Sequence, residues 1–133
     1  MSDTRILIVD DHRDLVEDLR EILEELGEPG LQAQVAADGR AALRLAEQHD
    51  IDVAIVDQHL PDARGTDLIQ EIRAKAPFAE VLILTGDATV ESAINAVKTS
   101  AFAYVLKPFR VEELLETVRR ALAQSRLCRD RDR

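Results

Sequence analysis

The stretch Asp52-Val53-Ala54-Ile55-Val56-Asp57 decides the fold, because its unbroken apolar run is typical of a strand buried on both faces. The same pattern recurs at Ile6-Leu7-Ile8-Val9 and at Val81-Leu82-Ile83-Leu84, and a further strand is expected over residues 102–106. Residues 31–36 alternate between apolar and polar side chains, which predicts a strand near an edge of the sheet. Strands that are covered on both faces occur almost only in parallel sheets.

Amphipathic segments alternate with these strands. In the first of them, apolar residues recur at spacings of one, three and four, as on one face of a helix: Leu15, Val16, Leu19, Ile22, Leu23 and Leu26. Further helices are expected from the cap Asp38 to residue 48, from Gly65 onward, over a segment that carries Val90 and Val97, and over residues 111–124. Five β-α units in succession predict an α/β fold, with a parallel sheet between two layers of helices.

The composition narrows the class of protein. The chain of 133 residues has the length of one domain, which we expect over residues 1–124, with residues 125–133 as a C-terminal tail or linker stub. Its net charge of −9 argues against direct nucleic-acid binding and against docking on an anionic membrane, since both need a basic surface. The single cysteine excludes a disulfide framework. The apolar runs are too short to span a bilayer and the first residues lack the form of a signal peptide, so we expect a cytoplasmic protein.

Polar side chains follow four of the five predicted strands. Asp10 and Asp11 follow the first strand, Asp57 the third, Thr85 the fourth and Lys107 the fifth. Ligands of open α/β sheets bind outside the carboxyl ends of the strands. We therefore expect three carboxylates, one hydroxyl and one ammonium group together on one rim of the sheet.

This combination of groups favours phosphoryl transfer. Three carboxylates in one crevice repel one another, and that repulsion is relieved either by protonation of one carboxylate or by a hard divalent cation such as Mg²⁺. The ammonium group supplies a positive charge for a carboxylate or a phosphoryl group. Phosphoryl transfer needs positioning and charge neutralisation, and an aspartate can serve as its nucleophile.

Four motifs stand at the strand ends, and together they extend over nearly the whole chain: Ile8-Val9-Asp10-Asp11, Val56-Asp57 with Leu60-Pro61 following, Leu84-Thr85-Gly86, and Tyr104-Val105-Leu106-Lys107-Pro108-Phe109. In this order they resemble the receiver domain of two-component response regulators. The resemblance implies a flavodoxin-like (CheY-like), doubly wound sheet of five parallel strands in the order 2-1-3-4-5, with five helices.

The resemblance also implies the chemistry of the rim. Asp57 would accept a phosphoryl group from a histidine kinase or a histidine phosphotransfer protein. Mg²⁺, for which Mn²⁺ can substitute, would be bound by Asp10, Asp11, Asp57 and the backbone carbonyl of His59. The domain would be a phosphoacceptor and not an enzyme, although it would assist its own phosphoryl transfer and dephosphorylation.

The remaining implied roles concern switching. Thr85 and Lys107 would bind the phosphoryl oxygens, and Tyr104 matches the aromatic position that changes rotamer on activation. The switched domain would control an attached output domain or a protein partner through the face formed by the fourth helix, the fifth strand and the fifth helix. A phosphorylation-dependent dimer is one form of that partnership.

The chain departs from the family pattern at an insertion, Pro29-Gly30, which lengthens the loop before the second strand, and at several single residues. His12 stands where the family usually has a third acidic or polar residue; its side chain could be a metal ligand, but we expect it to face solvent. His59 stands at a variable position, and we do not expect it to be a catalytic base. Ser100 replaces a usual glycine and is expected to adopt a turn conformation. Ala103 replaces an acidic residue that contributes to a dimer interface in one subfamily.

Two other functions share parts of this pattern. A haloacid-dehalogenase-like phosphohydrolase also uses an aspartate nucleophile and Mg²⁺, but it needs Asp-x-Asp after the first strand, where this chain has Asp10-Asp11-His12. A degenerate receiver, which binds partners without phosphorylation, would lack one of the five rim residues, and all five are present. A dinucleotide-binding domain would need a Gly-x-Gly-x-x-Gly motif, which the sequence lacks.

Overall fold

A computed structural model describes residues 3–86 and 100–132 of the chain. Their elements, in chain order, are β1 (Arg5–Val9), α1 (Arg13–Glu24), β2 (Gln32–Ala36), α2 (Gly39–Gln48), β3 (Val53–Asp57), α3 (Gly65–Lys75), β4 (Glu80–Thr85), β5 (Ala103–Leu106) and α4 (Val111–Arg131). The predicted helix that carries Val90 and Val97 lies outside the described residues. The label α4 therefore belongs to the helix that the sequence predicts as the fifth.

The five strands form one parallel sheet in the order β2-β1-β3-β4-β5, which confirms the predicted order. β2 lies at an edge of the sheet, as its alternating sequence predicts. β1 and β3 are neighbours, with Val9 opposite Val56. The residues that follow these two strands, Asp10 and Asp57, therefore leave the sheet side by side.

Each buried strand divides its side chains between two hydrophobic clusters, one on either face of the sheet. Leu7 and Val9 of β1 belong to the cluster that contains residues of α2 and α3. Ile6 and Ile8 belong to the cluster that contains residues of α1 and α4. All four side chains are fully buried, which explains why this strand is apolar at every position instead of at alternate ones.

Helix α4 ends at Arg131, so the predicted end at residue 124 was wrong. The apolar periodicity stops at Leu122, and the helix continues because polar side chains bond to the rest of the domain. Ser125 is fully buried, and its hydroxyl donates to the carbonyl of Phe78 at 2.6 Å. The Arg129 guanidinium then lies 4.9 Å from the centre of the Phe78 ring. No described helix, α4 included, combines the length and the hydropathy that a membrane span requires.

Two local expectations are confirmed. Asp38 caps α2, since its side chain accepts a hydrogen bond from the backbone N–H of Ala41 at 2.8 Å. Ser100 has a φ of 60°, in the left-handed region that glycine adopts more easily, as expected for a residue that replaces a usual glycine of the family.

Candidate functional site

The strand-end residues are positioned by backbone hydrogen bonds that extend the sheet past its strands. The N–H of Asp10 donates to the carbonyl of Ala36 at 3.0 Å, and the N–H of Lys107 donates to the carbonyl of Thr85 at 2.8 Å. Asp57, the last residue of β3, pairs with Leu84 of β4. The starting direction of each functional side chain is therefore fixed by the sheet and not by a loop.

An acidic group lies at the ends of β1 and β3. Asp10, Asp11, His12 and Asp57 each offer one ligand atom, and these four atoms lie within 4.8 Å of one another. Asp10 and Asp57 are buried, with 2% and 3% of their surface exposed, whereas Asp11 and His12 are exposed. The sheet therefore brings the three predicted carboxylates together in a site that is open to solvent on one side.

Lys107 supplies the positive charge expected at this site. Its Nζ donates a hydrogen bond to Oδ1 of Asp57 at 2.9 Å, and it lies 3.8 Å from Oδ2 of Asp10. One ammonium group thus faces two buried carboxylates and leaves the group of three aspartates with an excess of negative charge. An excess of negative charge in a half-desolvated site favours a bound cation.

The structure places His12 closer to the acidic group than the sequence predicts. Most of its side chain is exposed, as expected, but Nδ1 lies 2.9 Å from Oδ1 of Asp10 and 3.3 Å from Oδ1 of Asp11. The hydrogen bond to Asp10, together with the charges of Asp10 and Asp11, raises the pKa of His12 above 6.5. The sequence signal was the spacing, because an aspartate often accepts a hydrogen bond from the backbone two residues later, and the N–H of His12 donates to Asp10 in this way at 2.9 Å.

The donor set fits the magnesium ion that the family resemblance implies. Oδ2 of Asp10 is buried and has no hydrogen-bond partner within residues 3–86 and 100–132. The Lys107 ammonium, 3.8 Å away, is too far to donate a hydrogen bond to this oxygen, and a bound cation would remove the cost of burying it without one. Carboxylate and carbonyl oxygens are the ligands that hard cations such as Mg²⁺ prefer.

The loop over residues 58–64 carries the remaining predicted ligand, the His59 carbonyl. His59 faces Arg64 in an isolated antiparallel bridge. The hydrogen bonds of that bridge run from the N–H of Gly65 to the carbonyl of Gln58 and from the N–H of Leu60 to the carbonyl of Ala63. The bridge therefore does not use the carbonyl of His59, which leaves that oxygen outside the loop's own hydrogen bonds.

The two predicted switch residues occupy different environments. Thr85 is buried, with 2% of its surface exposed, and it stands in the strand that lies between β3 and β5. Tyr104 packs against the cluster that contains residues of α2 and α3, and its hydroxyl is buried without a hydrogen-bond partner in the described part of the chain. The aromatic ring therefore points toward the domain interior in this structure.

Sequence reasoning missed two polar contacts of the loop. The Gln58 side chain donates to the Thr66 hydroxyl at 3.3 Å and accepts from the Thr66 N–H at 3.1 Å. The Asp62 carboxylate accepts from the backbone N–H groups of Gly39 and Arg40. An aspartate in a turn usually bonds to its own neighbours, and nothing in the spacing indicates a partner 23 residues away.

A comparison with protein families matches residues 6–119 to a model described as the response regulator receiver domain. A response regulator protein, PilR, from Pseudomonas aeruginosa is 36% identical over 92% of this chain and 27% of its own length. A CheY-like receiver domain protein from Methanospirillum hungatei JF-1 has a TM-score of 0.83 and 30% identity, over 94% of this chain and 98% of its own.

One further solved structure bears on the site. A response regulator protein from Burkholderia pseudomallei, with a phosphorylated aspartic acid, a calcium ion and citrate, has a TM-score of 0.76 and 33% identity, over 86% of this chain and 66% of its own. The present chain spans about a quarter of the length of the curated relatives that it matches first, 27% in each case.

Proposed function

This chain belongs to the response regulator receiver domain family, and on that premise we propose that Asp57 accepts a phosphoryl group from a histidine kinase or a histidine phosphotransfer protein. The observation that carries the proposal is the position of the Asp57 carboxylate. It is buried at the end of a central strand, within 2.9 Å of the Lys107 ammonium and within one group with Asp10 and Asp11. No other aspartate in the described residues combines these neighbours.

The reaction would proceed by displacement at phosphorus. An oxygen of the Asp57 carboxylate attacks the phosphorus of a phosphohistidine, the P–N bond breaks, and the imidazole leaves with the electron pair of that bond. Lys107 then pairs with an oxygen of the new phosphoryl group instead of the free carboxylate, and the Thr85 hydroxyl donates to another. The phosphorylated aspartic acid in the Burkholderia pseudomallei protein supports this chemistry.

Mg²⁺ would be held by Asp10, Asp11, Asp57 and the His59 carbonyl, with Mn²⁺ as a substitute. The ion supplies neutralisation of the negative charge that gathers as a phosphoryl group approaches three carboxylates. The calcium ion in the Burkholderia pseudomallei protein supports a divalent cation in this role. Asp10 is the buried member of the cation site, and the exposed Asp11 is the member that solvent reaches.

The signal would leave through the surface of β5 and α4, together with the predicted helix that lies outside the described residues. Leu106 and Val111 on this surface are large apolar residues with 47% and 36% of their area exposed. A protein partner that docks here would bury these two side chains. An attached output domain, a separate protein or a second phosphorylated copy would bind this surface. We place this interaction in the cytoplasm. The domain itself would not catalyse a reaction on another substrate.

Intact-mass measurement after incubation with acetyl phosphate and Mg²⁺ tests the proposal. The parent protein should gain one phosphoryl group that base removes, and Asp57→Ala should gain none. Asp67→Ala is the matched control, because Asp67 is an exposed aspartate in the first turn of α3, and it should behave like the parent. Full incorporation into Asp57→Ala would contradict the assignment, and so would a parent protein that takes no phosphoryl group.

A further inference from the structure

The loop between β3 and α3 is fixed at both of its ends. The N–H of Gln58 donates to the carbonyl of Leu84 at 2.9 Å, and its carbonyl accepts from the N–H of Gly65 at 2.9 Å. Gly65 lies so close to Asp57 that a Cβ atom there would be 2.6 Å from the Asp57 carbonyl oxygen. The chain therefore leaves Asp57 and returns directly against it, which leaves residues 59–64 as a short projecting loop.

The tip of this loop is attached to a different helix. Oδ1 of Asp62 accepts from the N–H of Gly39 at 2.8 Å, and Oδ2 accepts from the N–H of Arg40 at 3.1 Å. Both donors belong to the first turn of α2, where N–H groups have no partner within the helix and the helix dipole favours a negative charge. The hydrogen bond from Gly39 is the main reason why the pKa of Asp62 lies below its usual range.

The N-terminal end of helix α2 is thus capped by two carboxylates from different parts of the chain. Asp38 precedes the helix and accepts from the N–H of Ala41 at 2.8 Å. Asp62 accepts from the N–H groups of Gly39 and Arg40, and Asp62 belongs to the loop that follows Asp57. Both caps serve the same helix end, but only Asp62 connects that helix to the loop.

We infer that Asp62 is a positioning residue for the cation site, because it holds the loop on which the His59 carbonyl lies. This inference rests on the proposed function, in which that carbonyl is a ligand. A backbone carbonyl cannot be reoriented by side-chain rotation, so the position of such a ligand depends on the contacts that anchor its loop. The anchors on either side of His59 are the Gln58 contacts next to β3 and the Asp62 contact with α2.

Asp62 is exposed, so its carboxylate is held by the two hydrogen bonds from α2 and by the space that Gly39 leaves for it. A Cβ atom on Gly39 would lie 3.1 Å from the methyl carbons of Leu68 and 3.3 Å from Oδ1 of Asp62. Glycine at this position therefore allows the loop, α2 and α3 to approach one another. The Asp62 carboxylate fits against the helix end as a two-point contact, which fixes both the distance and the orientation of the loop tip.

The test compares Asp62→Ala and Asp62→Asn with Asp38→Ala in the full chain. Unfolding by urea, Mg²⁺ binding by calorimetry, and phosphorylation by acetyl phosphate are measured for each. Asp38→Ala and Asp62→Ala should lower the urea midpoint alike, because each removes a cap of α2. Only Asp62→Ala should weaken Mg²⁺ binding, by about tenfold, as the loss of an outer partner of a metal ligand typically does. Asp62→Asn keeps one acceptor oxygen and should fall between the parent and Asp62→Ala.

The outcomes separate the inference from the function on which it rests. If the parent binds Mg²⁺ and is phosphorylated while Asp62→Ala and Asp62→Asn bind Mg²⁺ as tightly as the parent, the positioning role is wrong and the function stands. Equal weakening in Asp38→Ala and Asp62→Ala would also contradict the positioning role, since it would trace the effect to the helix alone. A parent that neither binds Mg²⁺ nor is phosphorylated would overturn the proposed function and this inference with it.

Discussion

The Nζ atom of Lys107 lies 2.9 Å from Oδ1 of Asp57, although the two residues are 50 positions apart. Asp57 ends β3 and Lys107 follows β5, so the lysine side chain crosses the end of β4, where Thr85 stands. Only a long side chain can make that contact from a strand that is not a neighbour. The ammonium group is thus the counterion of the proposed phosphoacceptor in this structure, and a bound divalent cation would share the same carboxylates with it.

Lys107→Met is therefore expected to raise the affinity for Mg²⁺ while it slows phosphorylation of Asp57. The Lys107 ammonium would repel a cation bound by the carboxylates. Two unit charges 4 Å apart interact by about 4 kcal/mol at an effective dielectric of 20, and solvent screening reduces this energy because 29% of the Lys107 side chain is exposed. We expect a gain on the order of tenfold in Mg²⁺ affinity, which corresponds to ~1.4 kcal/mol. Calorimetry measures it, and Lys75→Met, which removes an exposed ion pair with Glu47, is the control. Unchanged or weaker Mg²⁺ binding in Lys107→Met would contradict the charge argument.

Asp11→Asn is expected to weaken Mg²⁺ binding and to prevent phosphorylation. Asp11 is the exposed carboxylate of the acidic group, and its loss removes one ligand and one negative charge. The affinity should fall by at least about tenfold, since even outer partners of metal ligands contribute that much. Without metal the same variant should unfold at a higher temperature than the parent, because repulsion among the three carboxylates decreases. Asp14→Asn, in the first turn of α1, should leave Mg²⁺ affinity, phosphorylation and unfolding temperature unchanged.

The sheet and the strand-end residues were predictable because both depend on local patterns. An apolar run such as Ile6-Leu7-Ile8-Val9 has one common explanation in a chain of alternating strands and helices, and the order of the strands then brings Asp10 beside Asp57. The family resemblance supplied the order, and the structure confirms it. The roles of the individual site residues stay predictions until the variants are measured.

Side-chain contacts between residues that are distant in sequence were not predictable in the same way. Apolar periodicity reveals a helix only where its inward-facing residues are apolar. The pattern of α4 therefore ends before Ser125 and Arg129, which are polar residues at inward-facing positions of the helix. The bonds that keep this segment helical lead to Phe78, Asp50 and Asp52, which are distant in sequence. The contact of Asp62 with α2 escaped for the same reason.

Arg129→Ala is expected to destabilise the domain, because Arg129 joins the end of α4 to the rest of the domain. The Arg129 guanidinium donates to Asp50 at 2.6 Å and to Asp52 at 2.8 Å, and it lies over the ring of Phe78. With 22% of the side chain exposed, we expect a loss of about 1 kcal/mol in the free energy of unfolding, the order of a partly exposed ion pair with a cation–π contact. Urea denaturation measures the loss.

Arg131→Ala is the control for Arg129→Ala, since both arginines lie in the last turn of α4 and share its helix dipole. Arg131 is exposed and has no side-chain partner within the described residues, so its loss should have little effect. Equal stability of the two variants would indicate that residues 125–131 behave as the tail that the sequence predicts. A selective effect of Arg129 would place them within the folded domain.

Glu80→Gln is expected to stabilise the protein at neutral pH and not at low pH. Burial raises the pKa of Glu80 above its ordinary value of 4.5, and the nearby Arg73 only partly opposes this. Because the pKa is higher in the folded state, the folded state gains from protonation. That gain is fully present below about pH 4.5 and is lost as the pH rises through the folded-state pKa. The neutral glutamine avoids the loss, so the stability of the variant relative to the parent should rise between pH 4 and pH 7.

Unfolding curves at pH 4 and pH 7 measure this difference. Glu47→Gln is the matched control, because Glu47 also pairs with a cation, Lys75, but 68% of its side chain is exposed. Its stability relative to the parent should not rise with pH. A parent that gains stability over Glu80→Gln as the pH rises would show that the Arg73 contact outweighs burial.

Thr85→Ala is expected to separate phosphorylation from switching. The Thr85 hydroxyl is not among the proposed cation ligands, so the variant should still take a phosphoryl group on Asp57. The proposed contact of that hydroxyl with the phosphoryl oxygens would move the chain after β4 and allow Tyr104 to change position. Phosphorylation biases this equilibrium only as far as the two states differ in their contacts. Removing the hydroxyl removes one such contact and should return the population toward the inactive state.

Amide NMR with and without beryllofluoride, a phosphoryl mimic, measures the switch. In the parent, shifts should concentrate in residues 85–91 and 101–112, beyond the residues next to Asp57. In Thr85→Ala the shifts next to Asp57 should persist while those over residues 101–112 shrink. Thr117→Ala removes another buried threonine hydroxyl, one that donates within α4 at 2.8 Å, and it should leave the parent pattern intact. Parent-like shifts over residues 101–112 in Thr85→Ala would show that the signal reaches β5 and α4 by a route that does not use this hydroxyl.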